Sequence, residues 1–109
     1  MITYRLTRRA RRDLLDIWNR IADNDEPAAD RFLDALRHRF DLLADNPYAG
    51  RRRDDLRKAY RSFPVGEYVI LYRIAKPGIQ ILHILHGRRD ILSLFRSGLP
   101  HTTKRVGLS

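Results

Sequence analysis

Histidine and arginine side chains in the second half of the chain offer the clearest catalytic chemistry. His86 could act as a general base or acid, and nearby arginines could stabilise the charge that develops on a phosphorane. A ribonuclease that uses the 2′-hydroxyl of its substrate as nucleophile needs only such groups. The candidates for this site are Arg61, Arg73, His86 and Arg89, with Arg88 beside them. A strand-end imidazole with local hydrogen bonds is the structural alternative for His86.

The other histidines do not form a metal-binding pattern. His83 and His86 are three residues apart in a predicted strand, so they point to opposite faces, and His38 has no suitable ligand nearby in sequence. The chain contains no cysteine, no Gly-rich phosphate loop and no nucleophile elbow. The sequence therefore predicts neither a metal site nor a cofactor.

Positive charge is the strongest compositional feature. The chain has 22 Lys and Arg against 13 Asp and Glu, a formal net charge of +9. Such a balance favours an anionic partner, either nucleic acid or an acidic protein. The main basic patch is the predicted loop with Arg51, Arg52 and Arg53, and the pair Arg88-Arg89 is a second. Solvated arginines on an ordinary surface are the alternative interpretation.

Two apolar runs, residues 68–74 and 79–85, must position these side chains. Both are rich in β-branched and aromatic residues, and Lys76-Pro77-Gly78 between them is typical of a turn, so they predict a hairpin. A third strand at residues 58–63, turning through Pro64-Val65-Gly66, completes a three-stranded antiparallel meander. Both faces of the central strands are expected to be buried. The alternation predicts one face of the last strand formed by Ile79, Ile81, His83 and Leu85, and the other by Leu82 and Ile84.

The first half of the chain predicts one strand and two helices. Residues 2–6 alternate as a half-buried edge strand, and Thr7 can cap a helix that ends near Ala22. The turn at residues 24–27 starts a second helix that ends near Asp45 and folds back on the first. The predicted fold is α+β, in the order β-α-α-β-β-β, with a helical hairpin packed on a small antiparallel sheet.

The arginines of the first helical turn allow two interpretations. Arg9 and Arg12 could pair with Asp13 and Asp16, each four residues later, as a solvated face laced with salt bridges. Alternatively they form a site for an anion or an acidic partner. Part of the groove between the two helices could also remain open and bind another helix.

Length and hydropathy predict one cytoplasmic domain. The first residues lack the apolar run of a signal peptide, and no stretch approaches the roughly 20 apolar residues of a membrane span. Residues 1–96 are expected to form the domain, and the polar residues 97–109 a mobile tail.

Several motifs together resemble the ParE branch of the RelE/ParE toxin superfamily. They are Gly50-Arg51, Leu56-Arg57, Arg61-Ser62-Phe63-Pro64-Val65-Gly66, Tyr68-Val69-Ile70, Tyr72-Arg73 and Leu85-His86-Gly87-Arg88-Arg89-Asp90. The resemblance covers residues 4–95. It implies a type II toxin that inhibits DNA gyrase by binding, without catalytic residues of its own, and a ParD-like antitoxin that neutralises it. Direct binding to nucleic acid is possible but not favoured.

The sister RelE branch, which cleaves messenger RNA on the ribosome, is the main alternative. That branch usually has an arginine where this chain has Val69, and a hydroxyl-bearing side chain near the position of Phe95. Both departures favour gyrase inhibition over RNA cleavage. A toxin-derived protein that binds antitoxin but is inactive, and a nucleic-acid-binding module, are further alternatives.

The resemblance also suggests the contact surfaces. The family's antitoxins carry a segment, disordered when free, that wraps the toxin, and we expect it to lie along both helices. The predicted antitoxin contacts are Arg9, Arg12, Leu14, Trp18, Phe32 and Leu36. The predicted target contacts are Arg51, Arg52, Arg53, Arg88 and Arg89.

Overall fold

The computed structural model describes residues 3–87 and residue 90. Two helices cover one face of a five-stranded sheet, which confirms the predicted fold class. The elements are β1 (Tyr4–Leu6), α1 (Arg8–Ala22), α2 (Glu26–Asp45), β2 (Arg51–Arg52), β3 (Arg61–Val65), β4 (Tyr68–Ala75) and β5 (Gly78–His86). No helix in this part of the chain is long and apolar enough to cross a membrane. The expected tail at residues 97–109 lies outside the described residues.

Local sequence signals start both helices where they were predicted. Thr7 Oγ1 accepts a hydrogen bond from Ala10 N at 3.0 Å, and Asp25 Oδ1 accepts one from Ala28 N at 3.1 Å. Thr7 Oγ1 also donates to Leu82 O at 3.0 Å, so the cap of α1 is tied to β5. The first helix is therefore fixed to the sheet from its first turn.

The sheet order is β1-β5-β4-β3-β2. The predicted meander of β3, β4 and β5 is confirmed, but β1 pairs parallel to β5, so the sheet is mixed. Gly78 permits this pairing, because a Cβ there would overlap the carbonyl oxygen of Thr3. A two-residue strand, β2, also pairs with β3 at the other edge, where the sequence predicted only a loop.

The third strand begins later than predicted, at Arg61 instead of residue 58. Residues 53–60 form a compact loop in which Leu56 N donates to Arg53 O and Ala59 N donates to Asp54 Oδ1. Ala59 has a φ of 71°, which is incompatible with a strand. The following turn lies at Gly66, with φ 59°, and Glu67.

A β-bulge reverses the faces at the end of β5. The pairing shifts register between Leu71 and Tyr72, which gives β5 one additional residue. Ile84 therefore joins the core beneath the helices, and Leu85 packs with Leu71 on the opposite face. The predicted faces of Ile84 and Leu85 were wrong, because strict alternation does not allow for an inserted residue.

Candidate functional site

The described residues of the candidate nuclease site do not converge. His86 pairs with Tyr68 at one end of β4, whereas Arg73 lies five residues further along that strand, roughly 17 Å away at ~3.3 Å per residue. Arg61 pairs with Tyr72, four residues from Tyr68. The predicted fourth member, Arg89, lies outside the described residues. His86 is therefore too far away to act as a general base beside Arg61 or Arg73.

Each of these side chains has local contacts instead. The Tyr68 ring packs edge-on against His86 at 5.3 Å, and His86 Nε2 lies 3.4 Å from Glu67 Oε1. Arg61 Nη1 donates to Gly50 O at 2.7 Å, while Arg73 Nε donates to Gln80 Oε1 at 2.9 Å. The ring of His86 therefore packs locally at the end of β5, and its buried Nδ1 has no hydrogen-bond partner among the described residues. Within residues 3–87 and 90, no group of three His, Cys, Asp or Glu could hold a metal ion.

The basic loop is largely neutralised by its own carboxylates. Arg52 Nη2 lies 2.6 Å from Asp54 Oδ2, and Arg53 Nη2 lies 2.9 Å from Asp55 Oδ2. Hydrogen bonds from Ala59 N and Arg52 lower the pKa of Asp54. A hydrogen bond from Arg53 likewise lowers the pKa of Asp55 and raises that of Arg53. The loop therefore presents less free charge than its sequence suggests.

Arg51 is the exposed cation of this loop that forms no ion pair with any other described residue. It lies on β2 at the sheet edge, paired with Ser62 of β3. The other predicted target contacts, Arg88 and Arg89, lie outside the described residues. Among the described candidates, Arg51 has the most accessible charge for an acidic partner.

An apolar groove lies between the two helices. It has a volume of about 390 Å³ and is lined by Tyr4, Leu6, Leu14, Leu15, Trp18, Leu33, Arg37 and Phe40. Trp18 Nε1 donates to Asp30 Oδ1 at 2.9 Å, so the indole bridges α1 and α2 at the groove. Leu15 is 60% exposed and adds an apolar side chain to the rim of the groove. The groove therefore exposes apolar surface without a polar cover.

The groove includes part of the predicted antitoxin surface. Leu14 and Trp18 line it, whereas Phe32 packs against Tyr68 with ring centroids 5.2 Å apart. Leu36 is completely buried, which corrects the expectation that it meets a partner directly. It lies on the core side of α2 and supports the helix from beneath.

The two arginines predicted for this surface differ in their surroundings. Arg9 Nε lies 3.4 Å from Asp13 Oδ1, as the salt-bridge interpretation expected, and Arg12 is exposed with no ion pair to Asp16. Asp13 Oδ2 also accepts a hydrogen bond from Ile84 N at 3.0 Å, so its main role is to hold α1 against β5. Arg9 is thus tied to a structural carboxylate, and Arg12 remains available.

Sequence reasoning missed several groove residues. Leu15 lies outside the buried stripe of α1. An apolar residue outside that stripe is exposed, so the sequence could have indicated Leu15 as a surface contact. Leu33 and Arg37 are one helical turn apart on α2 and form the opposite wall. Tyr4 and Leu6 come from β1, and no local pattern could place that strand beside the helices.

Comparison with known proteins indicates the family of this chain. A family model described as "ParE toxin of type II toxin-antitoxin system, parDE" matches residues 4–91. Toxin ParE1 of Mycobacterium tuberculosis is 33% identical over 90 residues, covering 81% of this chain and 92% of that protein. Toxin ParE1 of Caulobacter vibrioides is 35% identical over 88 residues, covering 79% and 90%.

The fold is also similar to a solved structure titled "Chromosomal ParDE TA system from P. aeruginosa". The TM-score is 0.68 at 22% identity, and the match covers 81% of this chain and 98% of the other. At 22% identity this likeness shows the fold alone, and the family assignment rests on the family model and the relatives. The chain belongs to the ParE toxin family of type II toxin–antitoxin systems.

Proposed function

We propose that this protein is a cytoplasmic toxin that inhibits DNA gyrase by binding it, and that a ParD-like antitoxin neutralises it. The match of residues 4–91 to the ParE toxin model carries this proposal. Inhibition by binding needs no catalytic group, since a ligand that prefers the cleaved-DNA state of gyrase would shift the enzyme toward that state.

The geometry of the sheet supports binding over RNA cleavage. Val69 stands on β4 where the ribonuclease branch usually has an arginine, so a phosphate-binding cation is missing there. His86 is engaged with Tyr68 and Glu67, far along β4 from Arg73. These observations favour the gyrase proposal over the ribosome-dependent nuclease.

The groove between α1 and α2 is the proposed antitoxin site. An amphipathic segment could bury its apolar face against Leu14, Leu15 and Trp18, in the way that helices bind in hydrophobic grooves. Arg37 lines the groove, and Arg11 lies one turn before Leu15 on the same side of α1. Acidic residues on the segment would face these cations. A segment that folds on binding would gain from both kinds of contact.

The proposed target contact is the edge of the sheet at Arg51. Its charge is exposed and unpaired among the described residues, so it can meet an acidic surface of gyrase or the bound DNA. Arg52 and Arg53 would contribute less, because Asp54 and Asp55 offset their charges. Arg88 and Arg89 remain proposed contacts from the sequence.

A supercoiling assay tests the proposal. Purified gyrase is titrated with the protein, and programmed ribosomes are treated in parallel, each with and without antitoxin. We expect loss of supercoiling, accumulation of cleaved DNA, intact messenger RNA, and full reversal by antitoxin. Cleaved message with normal supercoiling would contradict the proposal.

A matched pair of variants tests the contact surface in the same assay. Arg51→Gln should raise the concentration needed for half inhibition several-fold, because a steering charge is lost. Arg31→Gln removes one charge from an exposed position on α2 and should have little effect. Equal effects of the two variants would show that only net charge matters.

A further inference from the structure

Three cations surround a second pocket on the side of the sheet opposite the helices. The pocket has a volume of about 350 Å³ and is lined by Arg57, Lys58, Tyr60, Arg73, Gln80 and Leu82. Arg73 and Gln80 are paired across β4 and β5, while residues 57–60 come from the loop before β3. Tyr60 and Leu82 belong to the small apolar cluster on this face. Tertiary structure thus gathers cations that the sequence places on separate elements.

The charges of this pocket are not compensated within the described part of the chain. Arg57, Lys58 and Arg73 form no ion pair there, whereas Arg52 and Arg53 are paired with Asp54 and Asp55. Arg57 is half-buried, and its Nη1 has no hydrogen-bond partner among the described residues. An anion bound among the three cations would complement their charges.

The donors of the pocket suit a tetrahedral oxyanion. Arg73 Nε donates to Gln80 Oε1 at 2.9 Å, and the Nη groups of Arg73 form no hydrogen bond or ion pair with a described residue. Lys58 is exposed and adds a mobile ammonium group. No carboxylate is among the described residues that line the pocket, so none of them repels an anion.

We propose that this pocket binds the phosphate group of a nucleotide or of a nucleic-acid backbone. Arginine forks and a lysine are the usual protein ligands of phosphate oxygens. The volume falls within the ~300–1,000 Å³ of small-molecule sites, so it also admits a sugar next to the phosphate. The inference does not depend on gyrase inhibition, because the ligand binds the protein alone.

Nuclear magnetic resonance of the full-length, ¹⁵N-labelled protein in low-salt chloride buffer tests this inference. The probes are sodium phosphate, adenosine 5′-monophosphate, a 12-nucleotide DNA strand and a poly-glutamate peptide of similar charge. We expect saturable shifts of the backbone amides of Arg57, Lys58, Arg73 and Gln80 with each phosphate-bearing probe. Much tighter binding of the DNA than of the monophosphate would identify a backbone site, and comparable binding of the two would identify a nucleotide site.

Two charge-matched variants separate the pocket from net charge. Arg57→Gln combined with Arg73→Gln should weaken phosphate binding by about tenfold or more, the loss expected when charge-assisted hydrogen bonds are removed. Arg31→Gln combined with Arg39→Gln removes two charges from exposed positions on α2, which lies on the other face of the sheet, and should change the affinity by less than about twofold. Circular dichroism verifies that both variants fold, and the exposed Lys58→Gln replaces the first variant if it does not.

Three results would overturn the inference. The first is the absence of saturable shifts with sodium phosphate and the monophosphate. The second is an equal loss of affinity in the two double variants, which would reduce the effect to net charge. The third is binding of poly-glutamate without binding of phosphate, which would assign the pocket to an acidic protein.

Discussion

At the scale of single residues, Tyr72 connects the core to the basic loop. Its side chain is completely buried, and its hydroxyl accepts a hydrogen bond from Gly50 N and donates one to Pro47 O, both at 2.8 Å. A Cβ at Gly50 would overlap the Tyr72 hydroxyl, so only glycine allows this approach. The start of β2, and with it Arg51, is therefore positioned by a residue in the middle of the sheet.

Replacing Tyr72 with Phe should destabilise the protein by about 1–3 kcal/mol. The change leaves the buried N–H of Gly50 without its acceptor, and an unsatisfied buried donor has this cost. Urea unfolding measures the difference. Tyr48→Phe is the control, since Tyr48 is 72% exposed, and it should change the free energy of unfolding by less than about 0.5 kcal/mol. Equal effects would mean that the Tyr72 hydroxyl does not hold the loop.

The same variant should alter unfolding in alkali. Burial raises the pKa of Tyr72 above its ordinary value of 10.0. Tyr72 therefore ionises at a lower pH in the unfolded chain than in the folded protein. The stability that comes from keeping its hydroxyl neutral is intact below pH 10.0 and is lost as the pH rises toward the folded-state pKa. Tyr72→Phe lacks this contribution, and its stability should fall less steeply above pH 10.0.

At the scale of elements, the groove between α1 and α2 follows from the way the two helices pack on the sheet. Each buries one side against it, but the edges of α1 and α2 that face one another leave Leu15 and Trp18 at an open groove. The hydrogen bond from Trp18 to Asp30 links the two helices beside that groove. This preformed shape lowers the entropy that a partner helix must lose on binding.

Leu15→Glu should weaken antitoxin binding by at least about tenfold. The substitution places a carboxylate in the groove, where an apolar segment would have to desolvate it. Isothermal titration of the antitoxin measures the affinity. Because Leu15 is 60% exposed, the variant should fold as the parent protein does.

The arginines of α1 provide an internal comparison. Arg12→Glu reverses an exposed charge and should weaken antitoxin binding several-fold, and Arg9→Glu should add less because Asp13 already offsets Arg9. Unchanged affinity in Leu15→Glu and in the double Arg9→Glu and Arg12→Glu variant would move the antitoxin away from this side of the helical hairpin.

At the scale of the whole molecule, the net charge of +9 opposes the compact state. The ion pairs that the structure describes are mostly exposed, such as Arg37 with Asp34, and contribute little. Positive charge therefore serves association more than folding. Screening by salt should relieve repulsion more than it weakens these pairs.

The melting temperature should accordingly rise by about 2–5 °C between 20 mM and 300 mM sodium chloride, roughly 0.5–1 kcal/mol for a domain of this size. Scanning calorimetry or circular dichroism measures it. Arg5→Gln combined with Arg31→Gln lowers the net charge by two and should show a smaller rise. A melting temperature that falls with salt would mean that the ion pairs outweigh the repulsion.

The sequence by itself determined the first strand, the two helices and the central meander, and their order, because their signals are local. The Thr7 and Asp25 caps and the apolar stripes placed both helices, and the alternation from Tyr68 onward placed the central hairpin. The motifs around Arg61 and His86 were also enough to indicate the family. Each of these features depends on residues within a few positions of one another.

Tertiary structure alone decided which side chains meet. The bulge in β5 exchanged the faces of Ile84 and Leu85, and the parallel pairing of β1 with β5 brought Tyr4 to the helical groove. Arg57 and Arg73 belong to separate elements of the chain, yet folding places both at one pocket. His86 pairs instead with Tyr68, at the opposite end of β4 from Arg73. Such contacts depend on register between distant strands, and a one-residue shift, which no local pattern reveals, changes every pair.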